Sequence, residues 1–292
     1  MEYVVVKKKL NSVSKVLIQN FWAVWFLVVV SLILIFVAKQ DILAKLLWQK
    51  YRLPKTALTL INRDANLAMF IGNYYFNGVI GGGKYNPDIA EKAYKKAIKI
   101  NPKILWGHYQ LARIIFIKGK FDGALAEINK ELEANPENLR SLYVRGLIYG
   151  YRNQAKDLEK AEADFRRFTL WAPKEWSGYN DLAWILSKRG KYREVKETIT
   201  AAFREIPESE NNPWLWNALG VAELNLTKYG VAETAFKKAE IFAENLTLAD
   251  WRRAYPGNNP ASAESGLSAF KKAISENLRR AESKKWVVDN DW

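Results

Sequence analysis

GKFDGALAEINKELEANP (residues 119–136) and GKYREVKETITAAFREIP (residues 190–207) are two versions of one pattern, and their agreement decides the fold. Both segments open with Gly-Lys and an aromatic residue, and both end on a proline fifteen residues after that aromatic. The same 34-residue spacing separates Pro102 from Pro136 and Pro173 from the last residue of the second segment. A period in this range is typical of stacked helix pairs, because one pair alone cannot bury its apolar face.

Five such units can be distinguished between residues 64 and 246. The first helix of each unit carries a small residue in one column, and the second helix carries another small or aliphatic column; a small residue lets the partner helix approach closely. The first column contains Gly72, Ala112, Gly146, Ala183 and Gly220, and the second contains Ala90, Ala124, Ala161, Val195 and Ala232.

This pattern resembles the tetratricopeptide repeat (TPR), whose 34-residue unit is a helix A–turn–helix B pair. The resemblance covers residues 64–245 and implies an all-α, TPR-like helix-pair solenoid of about five repeats. Residues 247–292 are then expected to form C-terminal capping helices and a tail, with Leu267, Ile274 and Leu278 on the buried face of the last helix. A basic docking helix for nucleic acid or lipid is the alternative for that helix.

The segment FWAVWFLVVVSLILIFVA (residues 21–38) contains no charged residue and no proline. Eighteen residues at about 1.5 Å each extend about 27 Å, close to the hydrocarbon thickness of a bilayer. A buried core helix is rarely apolar on all sides, and the residues near Ala38 are too large for a signal-peptidase site. We therefore predict a transmembrane helix over residues 20–38, in contact with the lipid bilayer and preceded by a short basic arm over residues 1–19.

Residues 39–63 are predicted to form a juxtamembrane amphipathic helix and a linker, with Ile42, Leu46 and Trp48 on the apolar side and Pro54 as the helix end. Packing of that helix on the soluble domain is the alternative. Basic residues flank the apolar segment on both sides almost equally, so membrane orientation is weakly specified. The short basic arm favours a cytoplasmic N-terminus, which places the solenoid outside the cytoplasm.

The net charge of +14 is uneven, because residues 1–60 alone carry nine Lys/Arg against two acids. Half of the excess therefore flanks the apolar segment, where cations meet lipid head groups, and no nucleic-acid partner is expected. The chain has no cysteine and one histidine, His108, so we predict no metal site. No Ser/His/Asp set or H-E-x-x-H motif is present, and we expect neither catalytic residues nor a cofactor.

One stretch, GVIGGGKY (residues 78–85), imitates the phosphate-binding P-loop. That motif requires a strand before it, a helix beginning at its lysine, and Ser or Thr after the lysine. Here a helix is predicted before the stretch, Tyr85 follows Lys84, and Asn86-Pro87 is a helix start. The Gly-Lys-aromatic triplet also occupies the column of the two segments quoted above. We therefore predict an ordinary interhelical turn behind a glycine-rich insertion; a nucleotide-binding enzyme subunit is the alternative.

The TPR resemblance implies a concave surface formed by the A helices, where proteins of this family usually bind peptides or protein partners. Asn66, Met69 and Ser187 share that surface by register, although ordinary packing between repeats is the alternative for every residue on it. Met69 and Val144 replace the Lys and Arg of the clamp with which some family members hold acidic tails, so that clamp is not supported. The partner-binding groove is predicted to contain Asn73, Tyr109, Arg113, Phe116, Arg140, Tyr143, Tyr151, Asn180 and Trp184.

These expectations describe a membrane-anchored scaffold or adaptor that binds a protein or peptide partner and catalyses nothing. Anchored arrays of this family often serve envelope, secretion, pilus or surface-glycan assembly in bacteria. A cytosol-facing import or chaperone co-receptor is the alternative from another class.

Overall fold

The computed structural model describes residues 2–77 and 83–284, with side chains from residue 21 onward, and its described residues are helical with no strand. Two compact units, residues 1–67 and residues 68–292, divide the chain. The helices are α1 (Glu2–Gln49), α2 (Pro54–Leu60), α3 (Ala65–Phe76), α4 (Pro87–Ile100), α5 (Gly107–Ile117), α6 (Phe121–Ala134), α7 (Arg140–Arg152), α8 (Asp157–Trp171), α9 (Trp176–Lys188), α10 (Tyr192–Glu205), α11 (Pro213–Asn225), α12 (Tyr229–Glu244), α13 (Leu248–Ala254) and α14 (Ala263–Glu282).

The N-terminal unit is dominated by α1, whose part from Phe21 to Gln49 is, among the described residues, the helix that is long and apolar enough to cross a membrane. An 18-residue window of this part has a mean hydropathy of 2.8, and none of that window is buried by protein. α1 continues without a break beyond the apolar span to Gln49, because no proline or glycine interrupts it before Pro54. Pro54 is the first residue of α2 rather than the end of α1.

The predicted apolar side of the juxtamembrane segment lies in two environments. Ala44 and Trp48 are fully buried where α1 packs on α2, whereas Ile42 and Leu46 are 63% and 48% exposed. The Asp41 carboxylate determines this packing, because it accepts hydrogen bonds from the backbone N–H groups that follow α2, at 2.7 Å from the nearer one.

In the second unit, five helix pairs follow each other along the chain, and the prediction of an all-α helix-pair solenoid with five repeats is confirmed. The pairs are α3–α4, α5–α6, α7–α8, α9–α10 and α11–α12. The small-residue column has the expected physical cause. A Cβ atom at Gly72 would lie 2.4 Å from the Tyr94 ring, and one at Gly220 would lie 2.5 Å from the Phe236 ring. Helix B therefore rests directly on the helix A backbone at these positions.

Left-handed turns connect the helices of the second, fourth and fifth pairs. Gly119 and Gly190 adopt φ angles of 72° and 70°, and the backbone N–H of the lysine after each turn bonds a carbonyl five residues back. This is the αL helix ending that glycine favours. The fifth pair makes the same turn with Thr227, at φ 58°. The sequence pattern did not assign Thr227 to the glycine column.

The glycine-rich stretch is described only in part, because residues 78–82 lie outside the described residues. On its N-terminal side lies α3, a helix rather than the strand of a P-loop. On its C-terminal side α4 begins at Pro87, two residues after Tyr85, with the Asn86 side chain accepting a hydrogen bond from the Ile89 N–H at 3.1 Å. These neighbours match the predicted interhelical turn.

The last helix, α14, packs on α12 and covers the end of the solenoid, as predicted. Leu267, Ile274 and Leu278 are buried on its inner face. Before it, α13 and the turn that follows do not extend the stack. These residues, which we call the strap (residues 248–260), run back toward the first two repeats, an arrangement that the sequence did not predict.

Candidate functional site

A cavity of about 670 Å³ opens between the A helices of the second, third and fourth repeats and the strap. Ten of its 24 lining residues are aromatic, against 13% of the whole chain, so aromatic side chains are concentrated at this surface. The aromatic lining residues are Phe76, Tyr109, Phe116, Tyr143, Tyr151, Trp176, Trp184, Trp214, Tyr255 and Phe270.

The structure brings together eight of the nine residues that the repeat register selects for the groove. All eight line this one cavity: Tyr109, Arg113, Phe116, Arg140, Tyr143, Tyr151, Asn180 and Trp184. The ninth, Asn73, lies outside the lining and accepts a hydrogen bond from the Tyr94 hydroxyl at 2.9 Å, which ties α3 to α4. Met69 and Ser187 are buried rather than lining the cavity, and Asn66 is exposed.

The buried Glu131 carboxylate holds α5, the A helix of the second repeat, in place. Although it belongs to α6, it accepts hydrogen bonds from the backbone N–H groups of Trp106 at 2.9 Å and Tyr109 at 3.1 Å, at the start of α5. It also accepts one from the Asn138 amide at 2.9 Å. The side chain therefore replaces an N-cap for α5 and fixes Tyr109 at the cavity.

The aromatic side chains form two walls. On one wall, Tyr151 lies between Phe116 and Trp184, with ring centroids 5.4 Å and 5.0 Å away, so the contact runs through three successive repeats. On the other, Trp214 stacks on Trp176 at 5.0 Å and on Phe270 at 5.3 Å. Ring pairs at these separations interact favourably and hold each other in fixed orientations, so the walls are preformed.

Asp181, on α9, places a carboxylate in this aromatic lining. Its Oδ2 accepts a hydrogen bond from the Tyr143 hydroxyl at 2.5 Å, and its Oδ1 accepts one from the Asn180 amide at 3.0 Å. Burial raises the pKa of Asp181 to about 6, although the two hydrogen bonds act in the opposite direction. Burial and the neighbouring Asp181 charge also raise the pKa of Tyr143 well above its usual value. Sequence reasoning selected Tyr143 and Asn180 but missed the carboxylate between them.

The other charged residues of the lining have partners of their own. Arg140 forms an ion pair with Glu175 at 2.5 Å, and Arg253 is paired with Asp250 in the strap. Lys188 points toward the end of α7, with its ammonium 3.4 Å from the Gly150 carbonyl and over the Trp184 ring, and burial lowers its pKa.

The strap forms the side of the cavity opposite the A helices. It is held there by side chains that donate hydrogen bonds to its backbone carbonyls. Arg113 donates a hydrogen bond to the Pro256 carbonyl at 2.6 Å, and the Tyr85 hydroxyl donates one to the Gly257 carbonyl at 3.1 Å. The Arg113 guanidinium also lies over the Phe76 ring, 4.8 Å from its centroid. Gly257 has φ 98°, a conformation that favours glycine. The cavity is therefore closed on this side by the chain itself.

The chemistry available in this cavity is that of a binding site. Aromatic rings offer area at low entropic cost, and Asn, Tyr and the carboxylate offer oriented hydrogen bonds. Among the described residues no group of three or more His, Asp or Glu side chains could hold a metal ion.

No family model matches the chain, and no curated protein matches it. Solved structures do resemble it. PilW, described as a widely conserved type IV pilus biogenesis factor, is 18% identical at a TM-score of 0.52, covering 76% of this chain and 100% of that one. PilF of Pseudomonas aeruginosa is also 18% identical at a TM-score of 0.52, covering 76% and 97%. YrrB, a TPR protein described as having an unusual peptide-binding site, is 16% identical at 0.50, covering 66% and 93%. The fold is therefore a TPR-like helical solenoid.

Proposed function

We propose that this protein is a membrane-anchored scaffold that holds a segment of a protein partner in the aromatic cavity and catalyses no reaction. One observation carries the proposal: three successive A helices and the strap converge on one cavity of about 670 Å³, lined mostly by aromatic, amide and charged side chains. A cavity of this size admits two or three side chains together with the backbone that joins them.

The expected affinity is modest. Two or three filled subsites contribute about 1.5–3 kcal/mol each before the entropy lost on association is subtracted, which supports binding in the micromolar range. Such an affinity suits a scaffold that gathers partners at a surface, where a shared location raises the effective concentration.

The surface that we propose is a membrane, crossed by residues 20–38 within α1. Its apolar window is not buried by protein, and insertion of such a segment is favourable in lipid. With the N-terminus in the cytoplasm, the repeats act outside it, in envelope, secretion, pilus or surface-glycan assembly; the resemblance to PilW and PilF favours this setting. The alternative, a cytosol-facing co-receptor, is distinguished by protease accessibility of residues 83–284 in sealed vesicles.

Site-specific photocrosslinking tests the binding role. A photoreactive phenylalanine analogue replaces Tyr109 or Trp184 in the full chain in its native cells, and the matched control carries it at Leu170, which is 82% exposed on α8. We expect the same protein adduct from both cavity positions and no such adduct from the control. Adducts that do not differ between the cavity and the control would contradict the proposal.

A further inference from the structure

Two carboxylates line the cavity, and Asp181 is the one whose hydrogen-bond partners among the described residues are both neutral. The Tyr143 hydroxyl and the Asn180 amide donate to it, and no described cation lies within ion-pair distance. In contrast, Glu175 is paired with Arg140. A desolvated carboxylate with no opposite charge costs free energy, and a cation supplied by a ligand removes that cost.

The surroundings of Asp181 are suited to a cation with an apolar stem. Tyr151 and Tyr255 line the same cavity as Asp181, and burial together with the charge of Asp181 raises the pKa of both phenols. Tyr151 is in contact with Trp184, one helical turn from Asp181 on the same face of α9. Aromatic faces attract cations, and they also pack against the methylene groups of a long basic side chain.

We propose that the cavity receives a lysine or arginine side chain of the partner, with its cationic group at the Asp181 carboxylate and its stem against Trp184 and Tyr151. This inference rests on the proposed function, because it names the partner chemistry of that same cavity. It selects a basic segment of the partner as the bound one. A segment that places a carboxylate beside Asp181 is disfavoured, since it would bring a second negative charge to a group that already lacks a counter-charge.

The test compares three pools of capped random hexapeptides that differ only at a fixed central position: lysine, norleucine or glutamate. Binding of each pool to the full chain, purified in detergent, is measured by fluorescence anisotropy. We expect the lysine pool to bind about tenfold more tightly than the norleucine pool, as a charge-assisted contact in an aromatic cavity does, and the glutamate pool to bind most weakly.

Two variants localise the effect. Asp181→Asn keeps the shape of the side chain and its bond from Tyr143, and we expect it to abolish the lysine preference while the norleucine pool still binds. Glu159→Gln makes the same change of charge at a 63% exposed carboxylate on α8 that does not line the cavity, and we expect it to keep the preference. Circular dichroism verifies that both variants are folded.

Each remaining outcome has a definite meaning. Equal binding of all three pools overturns this inference and leaves the binding role intact, whereas binding of none contradicts the binding role itself. A preference lost equally in both variants shows a long-range field rather than a site at Asp181. Tighter binding of the glutamate pool, lost on Lys188→Met, assigns the cavity to an anionic segment instead and overturns the inference.

Discussion

At Asp181 the requirements of folding and of binding conflict: burial of a charge lowers stability, whereas the same charge is what a ligand can recognise. Folding places its carboxylate among aromatic rings, where burial raises its pKa from 3.8 to about 6. At neutral pH the group is nevertheless ionised, so the folded protein holds a charge at a cost. A change of about two pKa units corresponds to about 3 kcal/mol as an upper limit, and partial exposure of the side chain reduces that figure. The free protein is therefore less stable than its packing would allow.

The pH dependence of stability provides a direct measure of this cost. Because the folded-state pKa of Asp181 is raised, its favourable contribution is present below the unfolded value of 3.8 and is lost as pH rises through about 6. We expect Asp181→Asn to raise the free energy of unfolding by about 1–3 kcal/mol at pH 7.5 and to change it little at pH 4. Urea denaturation of both proteins at the two pH values is the measurement. An equal difference at both values would show that the cost does not come from the charge.

Among the elements, the turns between paired helices show where the repeat is under local strain. Gly119 and Gly190 occupy the left-handed position at little cost, but the fifth pair places Thr227 there, at φ 58°. A left-handed conformation costs an L-residue about 1–2 kcal/mol, and β-branching adds crowding. The Thr227 side chain is exposed, so no burial offsets this cost.

Thr227→Gly is accordingly expected to stabilise the protein. Relief of the strained conformation outweighs the greater freedom that glycine has in the unfolded chain, and the net gain is roughly 0.5–1 kcal/mol. The reverse change at the equivalent turn, Gly190→Thr, should destabilise by about 1–2 kcal/mol. Urea unfolding midpoints of the two variants and the parent are compared at one pH. A Thr227→Gly variant less stable than the parent would contradict this account of the turn.

Periodicity predicted the helix pairs well wherever one physical cause restricts the residue type in a column. The Gly72 and Gly220 positions were predictable, because close contact with an aromatic ring tolerates only small residues. Thr227 was not, since a turn can force the same backbone angle on a residue that does not favour it. The register likewise selected Tyr143 and Asn180 but not Asp181, because a single carboxylate in a helix carries no local signal of its burial.

At the scale of the whole molecule, the strap departs from the behaviour of an open solenoid. In such arrays each repeat contacts only its neighbours, so the ends unfold independently of each other. Here Pro256 and Gly257, which follow the last pair, are bonded to Arg113 and Tyr85, 143 and 172 residues earlier in the chain. The sequence could not predict this connection, because the acceptors are backbone carbonyls, which every residue has. The strap therefore joins the first two repeats to the last one.

This connection is expected to make the terminal repeats unfold together. A double variant, Tyr85→Phe with Arg113→Gln, removes both side-chain donors to the strap while keeping side chains of similar size. We expect faster hydrogen exchange in residues 254–258 and then in α5 and α11, with the centre at α7 and α8 less affected, because end fraying is no longer coupled. Hydrogen–deuterium exchange mass spectrometry of the full chain measures this. The control, Arg204→Gln, removes a 73% exposed arginine side chain whose ion-pair partner among the described residues is its neighbour Glu205, and it should leave the exchange pattern unchanged. Uniformly faster exchange across all five pairs would mean that the strap supports the whole stack rather than linking its ends.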